Sequence, residues 1–103
     1  MDFYSFGRTF FSNYIWIKGG QLFPVLHDMD IEFISVGSFA VEIYTAAGKL
    51  RTRHTRDNAH GGWNSFDLRW DITPIESYKL RLVNTSSTPT HQVLQGVLRY
   101  GSL

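Results

Sequence analysis

Phe39-Ala40-Val41-Glu42-Ile43-Tyr44, then Thr45-Ala46-Ala47-Gly48, then Lys49-Leu50-Arg51-Thr52-Arg53-His54 is the stretch that decides the fold. Phe39, Val41 and Ile43 alternate with Ala40, Glu42 and Tyr44, the period of two that sends successive side chains to opposite sides of an extended strand. A four-residue turn, with glycine where a left-handed backbone is needed, then reverses the chain into a second extended run. Residues 39–54 therefore read as a β-hairpin.

Upstream, residues 9–18 are rich in aromatic and β-branched side chains and end at Lys18-Gly19-Gly20, which predicts a hairpin into a return strand over residues 21–27. Pro24 marks that return strand as an edge or a bulge, because it has no N–H to donate. His27-Asp28-Met29-Asp30 reads as a turn, with the next strand over residues 31–36. Downstream, residues 55–62 form the longest polar break, the natural seat of a functional loop. Phe66, Leu68 and Trp70 then alternate with Ser65, Asp67 and Arg69, and Tyr78, Leu80 and Leu82 alternate with Lys79 and Arg81. In the last strand, residues 92–100, Leu94, Gly96, Leu98 and Tyr100 share a side, and Gly96 marks a bend or a close sheet-to-sheet approach.

Strand signals thus recur about every ten residues with no helical stripe between them. The expectation is an all-β chain, a single antiparallel β-sandwich domain of about eight strands over residues 1–103, jelly-roll-like in architecture. An immunoglobulin sandwich is less well supported, since the sequence has no cysteine. The same absence removes disulfides, thiolate metal sites and cysteine nucleophiles.

A hydrophobic share of 43% against 18% charged residues belongs to an ordered globular chain, and the 16% aromatic share favours strands. The formal net charge of +1 supplies no global field for nucleic acid or anionic membrane. Met1-Asp2-Phe3-Tyr4 lacks a basic region followed by an apolar run, and no segment approaches the about 18 apolar residues of a membrane span. A chain without leader or span, cytoplasmic or virion-associated, is the expectation.

No nucleophile is framed by a G-x-S-x-G turn, and the acids Glu42, Asp67, Asp71 and Glu76 are scattered, so no catalytic residue is assigned and no enzyme is expected. His27, His54, His60 and His91 fit no zinc spacing, so neither metal nor other cofactor is expected. Lys49, Arg51 and Arg53 fall on one side of a strand and Arg56 follows, a basic stripe that could hold single-stranded nucleic acid but reads more simply as an edge protected from aggregation.

The run Phe10-Phe11-Ser12-Asn13-Tyr14-Ile15-Trp16-Ile17 departs from clean alternation. With Phe11, Ile15 and Ile17 inward, Phe10, Tyr14 and Trp16 make a second apolar side that must be covered by residues 3–6, by another subunit or by a sugar. The short aromatic-rich strands and the glycine in the final strand are similar to jelly-roll modules of lectins, carbohydrate-binding modules and viral or phage structural proteins, a resemblance of architecture only. Two functions follow as expectations. The first is a structural or assembly subunit that forms homo-oligomers through Phe10, Tyr14 and Trp16. The second is a glycan-binding module using Tyr14, Trp16 and Trp63 for stacking and Arg56, Asp57 and Asn58 for hydrogen bonds.

Overall fold

The computed structural model describes residues 1–57, 60–73 and 76–102, apart from the side chain of Asp71. Among the described residues ten strands follow one another: β1 (Asp2–Phe6), β2 (Thr9–Phe11), β3 (Tyr14–Trp16), β4 (Phe23–Pro24), β5 (Leu26–Phe33), β6 (Phe39–Thr45), β7 (Leu50–Arg56), β8 (Gly62–Asp67), β9 (Ser77–Asn84) and β10 (His91–Tyr100). Among the described residues the only helical segments are two short 3₁₀ turns, Ile17–Gly20 and Arg69–Asp71, so no helix is long and apolar enough to cross a membrane.

The first sheet runs β1-β10-β5-β8 and the second β3-β9-β6-β7. β1 and β2 lie end to end on one edge of β10, pairing with residues 96–100 and 91–93. β3 and β4 do the same on β9, at residues 81–83 and 77–78. Ten segments therefore fill eight positions. Numbered along the chain, those positions run 1-8-3-6 in one sheet and 2-7-4-5 in the other. Every pair is antiparallel. This is the order produced when one long hairpin, pairing first with last and fourth with fifth, rolls up into two facing layers: the jelly roll.

Alternation explains the layers. Met29, Ile31 and Phe33 of β5, with Phe66, Val93 and Leu98, face Phe39, Val41 and Ile43 of β6, with Tyr78, Leu80 and Leu82, and all are buried. Phe39 meets Phe33 with ring centroids 4.3 Å apart and Phe66 edge-on at 5.8 Å, joining the sheets across the core. Gly96 lies directly opposite Phe6 of β1, whose ring covers it so closely that a Cβ there would sit 2.3 Å from Cζ. The close approach expected between the two sheets is therefore corrected: what crowds Gly96 is a neighbour in the same sheet.

Several expectations need correction. Residues 9–18 are not one strand: Ser12-Asn13 carries the chain from the first sheet to the second, separating β2 from β3. The covering problem posed by a strand apolar on both sides disappears with that break. Lys18-Gly19-Gly20 is not a hairpin turn, since β3 and β4 pair with β9 and not with each other; it is a left-handed turn with φ of 48°, 64° and 87° that offsets one edge segment from the next. Residues 27–30 are not a turn but lie within β5, where Asp28 and Asp30 point outward. Trp70 leaves the alternation of Phe66 and Leu68, because β8 ends at Asp67 and the following 3₁₀ turn throws the indole into solvent.

Candidate ligand-binding face

The outer side of the first sheet is built by the alternate residues of β5, β8 and β10. Arg99, Asp28 and Asp67 lie side by side across the three strands, as do Val97, Asp30 and Ser65, and then Gln95, Glu32 and Trp63. Phe3 of β1 continues the first row, opposite Arg99, and is exposed.

Carboxylates directly across a sheet repel unless a cation stands between them. Asp28 and Asp67 are such a pair, and each is held by its own arginine: Arg99 Nη1 donates to Asp28 Oδ1 and, at 2.8 Å, to Asp30 Oδ2 two residues along the same strand, while Arg69 holds Asp67. The Ser65 hydroxyl donates to Asp30 Oδ1 at 2.6 Å, and Gln95 Nε2 to Glu32 Oε1 at 2.9 Å. Asp67 accepts from Arg69 Nη2 at 2.9 Å, Arg69 Nε at 3.1 Å and Trp70 Nε1 at 3.2 Å. The Ser65 hydroxyl and the Arg99 guanidinium hold the Asp30 carboxyl below its usual range, against some desolvation. Arg69 holds Asp67 far lower still. Asp30 and Asp28 in turn raise Arg99.

Two shallow depressions open over this network. One of about 360 Å³ is lined by Trp63, Asp30, Ser65, Val97 and Arg99. The other, of about 350 Å³, runs over Asp28, Asp67 and Arg69 and shares Asp30, Ser65 and Arg99 with the first. They meet over these three residues as one trough, which Trp63 lines at one end; Trp70 lines neither depression but is bonded to Asp67 at the other end. Trp63, 49% exposed, begins it, and Trp70, 82% exposed, hangs beside Asp67 at the other end. Four residues of strand separate Trp63 from Asp67, about 13 Å at 3.3 Å per residue.

The outer side of the second sheet has a different character. Glu42 of β6 is outward by register yet only 1% of its side chain is exposed. Arg53 lies opposite it on β7 and Arg81 on β9, and both donate to it, Arg81 Nε at 2.6 Å and Arg53 Nε at 2.8 Å; the Tyr44 hydroxyl adds a bond at 2.7 Å. Burial pushes the Glu42 carboxyl up, but the bonds from Tyr44, Arg81 and Arg53 outweigh it and leave the carboxyl below its usual range. Burial and the same bond to Glu42 raise Tyr44. The Arg81 guanidinium also lies over the rings of Tyr14, Trp16 and Tyr44, and Trp16 meets Tyr44 edge-on at 5.2 Å. Glu42, Arg53, Arg81, Tyr44, Tyr14 and Trp16 are thus engaged with one another.

The residues singled out in the sequence do not converge. Tyr14 and Trp16 lie on the outer side of the second sheet, while Trp63 lies on that of the first. Phe10, opposite Gln92 in the first sheet, points away from Tyr14 and Trp16, so these three do not form one surface. The basic stripe is broken: Arg53 lies on the second sheet's outer side opposite Glu42, but a bulge at Arg51 puts Leu50 opposite Tyr44, so Lys49, Arg51 and Arg53 do not follow one another on a single side by the period of two. Arg56 closes β7 and has the opposite parity, with its guanidinium 4.3 Å from the Phe66 ring centroid and donating to Ser65 O at 3.0 Å. Asp57 is exposed, and Asn58 lies outside the described residues. No group of three or more metal-ligating side chains occurs among the described residues.

Sequence reasoning assigned Asp28 and Asp30 to a turn and passed over Glu32 and Arg99. A signal for them was present, because Asp28, Asp30 and Glu32 alternate with Met29, Ile31 and Phe33 at the period of two. The aspartates' preference for turns overrode it. No protein family matches this chain, and no curated protein matches it either.

Proposed function

We propose that this chain is a non-enzymatic glycan-binding module that holds a neutral or amino-sugar oligosaccharide along the trough between Trp63 and Trp70. The observation that carries the reading is the pairing of two exposed indoles with a field of planar polar side chains locked in place by one another. Sugars present apolar ring faces to aromatic side chains and hydroxyl edges to carboxylates, guanidinium groups and amides. Because Arg99, Asp28, Asp30 and Ser65 already hold each other, little side-chain freedom remains to be lost on binding. Four carboxylates, Asp28, Asp30, Glu32 and Asp67, against Arg99 and Arg69 make this side net acidic, which disfavours uronic or sulfated chains.

Binding without cleavage is supported by the same charges. Glycoside hydrolysis needs one carboxyl kept protonated as a general acid, and the environments of Asp30 and Asp67 both act in the opposite direction. The reading as an assembly subunit drew on an aromatic surface of Phe10, Tyr14 and Trp16 that the fold divides between two opposite sides, so glycan binding stands ahead of it.

Isothermal titration against a panel of neutral, amino and acidic oligosaccharides tests the proposal. The expected result is saturable binding of a neutral or amino-sugar chain, and binding about ten-fold or more weaker in Trp63→Ala. Silence across the neutral and amino panel, or affinity indifferent to Trp63→Ala, would overturn it.

A further inference from the structure

A second opening lies at the other edge of the sandwich, remote from the trough. There both sheets end in interrupted strands: Gly7-Arg8 separates β1 from β2, and the left-handed turn at residues 18–20 separates β3 from β4. The two edges do not close on each other, leaving a cleft of about 200 Å³ walled by Tyr4, Phe6, Ile15, Trp16, Ile17 and Leu82. An engineered apolar cavity of about 150 Å³ already admits benzene, so this cleft has room for a flat ring of that size.

The rim of the cleft carries a cation. Lys18 lines it, with its ammonium 5.2 Å from the Tyr4 ring centroid. Its backbone has φ of 48°, a left-handed conformation that favours glycine. Gly19 and Gly20 follow in the same region of φ, so the chain uses glycine at two of the three positions of this turn and a lysine at the third. Strain retained at one residue while its neighbours avoid it points to a need for that side chain.

We propose that the cleft binds a small aromatic carboxylate, about the size of phenylacetate, with the ring between Tyr4, Phe6 and Ile15 and the carboxylate against the Lys18 ammonium. The walls supply apolar burial for a flat body of this size, and the single rim cation selects an acid over its neutral counterpart. The site is independent of the trough, which lies on the outside of the first sheet.

Trp16 lines the cleft, and the other two tryptophans lie at the trough, so a chain carrying Trp63→Phe and Trp70→Phe reports from Trp16 alone. Titrating it with phenylacetate and with 2-phenylethanol should give saturable fluorescence changes for both, with the acid about five-fold tighter or more. Adding Lys18→Gly should relieve the backbone strain, leave the melting temperature equal or higher, and make the two probes bind alike. No saturable change with phenylacetate would overturn the proposal, as would an acid preference that survives Lys18→Gly. A Lys18→Gly chain that melts lower would overturn it too, because the lysine would then be explained by packing on Tyr4.

Discussion

The two outer sides of this sandwich are made from the same kinds of residue and end in opposite conditions. On the second sheet, three partners converge on one carboxylate, Glu42, and the aromatic rings beside it stack on the arginine that holds it. The charges and rings of that cluster are engaged with one another. On the first sheet, four carboxylates spread across two strands are held by arginine, serine and glutamine bonds that keep them fixed but accessible, and both indoles stay exposed, that of Trp70 while bonded to Asp67. Composition does not distinguish a structural surface from a binding surface here. On both sides the polar groups pair with one another, and the difference is burial: the Glu42 side chain is 1% exposed, whereas those of Asp28 and Asp67 are 42% and 44% exposed.

The largest expected effect comes from breaking the closed side. Glu42→Ala leaves Arg81, only 23% exposed, and Arg53 without their carboxylate, and strips the Tyr44 hydroxyl of its acceptor. Removing one partner of a fully buried ion pair costs about 3–5 kcal/mol, and partial solvent access to the two arginines lowers this to about 2–3 kcal/mol. Urea denaturation should register that loss. At a temperature where the variant is still folded, its affinity for oligosaccharide should match the parent. A Glu42→Ala chain of unchanged stability would mean that the closed side does not support the fold.

The open side should respond the other way round. Trp63→Ala removes a half-exposed indole from an edge strand, so its stability should stay within about 0.5 kcal/mol of the parent while glycan affinity falls. A large loss of stability in this variant would erase the contrast between the two sides.

This contrast also marks what was legible in the sequence. The sandwich, its core and the hairpin of β6 and β7 follow from alternation alone, because period and burial are local properties of a strand. Glu42 was legible as an outward residue, but its burial was not, since Arg81 arrives from β9, 39 residues away. Asp28 and Asp30 were misread as a turn for the same reason: they are tolerable in a strand because Arg99 of β10 compensates them across the sheet. The division between β2 and β3 was illegible for a different cause. Ser12-Asn13 could serve as a strand interior or as a corner, and only the pairing of β3 with β9 decides.

Acid should act on both sides. Asp30 and Glu42 have folded pKa values below their unfolded ones, so each contributes stability that is complete above the unfolded value, about 3.9 for Asp and 4.3 for Glu, and that is lost as pH falls through the lowered folded value. Melting temperature should therefore be flat from neutral pH to about 5 and fall below about 4. Asp30→Asn should shallow that fall, since the amide no longer takes up a proton. An equally steep fall in Asp30→Asn would show that the Arg99 network contributes nothing to acid sensitivity.

The smallest effect belongs to Trp70. Its indole is almost wholly in solvent, with one hydrogen bond to Asp67 and the Arg69 guanidinium 5.8 Å from its ring centroid, so Trp70→Ala should leave the melting temperature unchanged. Its influence on binding depends on how far the ligand reaches. A single sugar stacked on Trp63 does not extend over the about 13 Å to Asp67 and should bind the variant as it binds the parent. A longer oligosaccharide that runs the length of the trough should lose about 0.5 kcal/mol, a little over two-fold in affinity. The dependence on ligand length is therefore the informative quantity. Equal weakening for short and long ligands would break the continuity of the trough and leave Trp63 as an isolated contact on an otherwise structural surface.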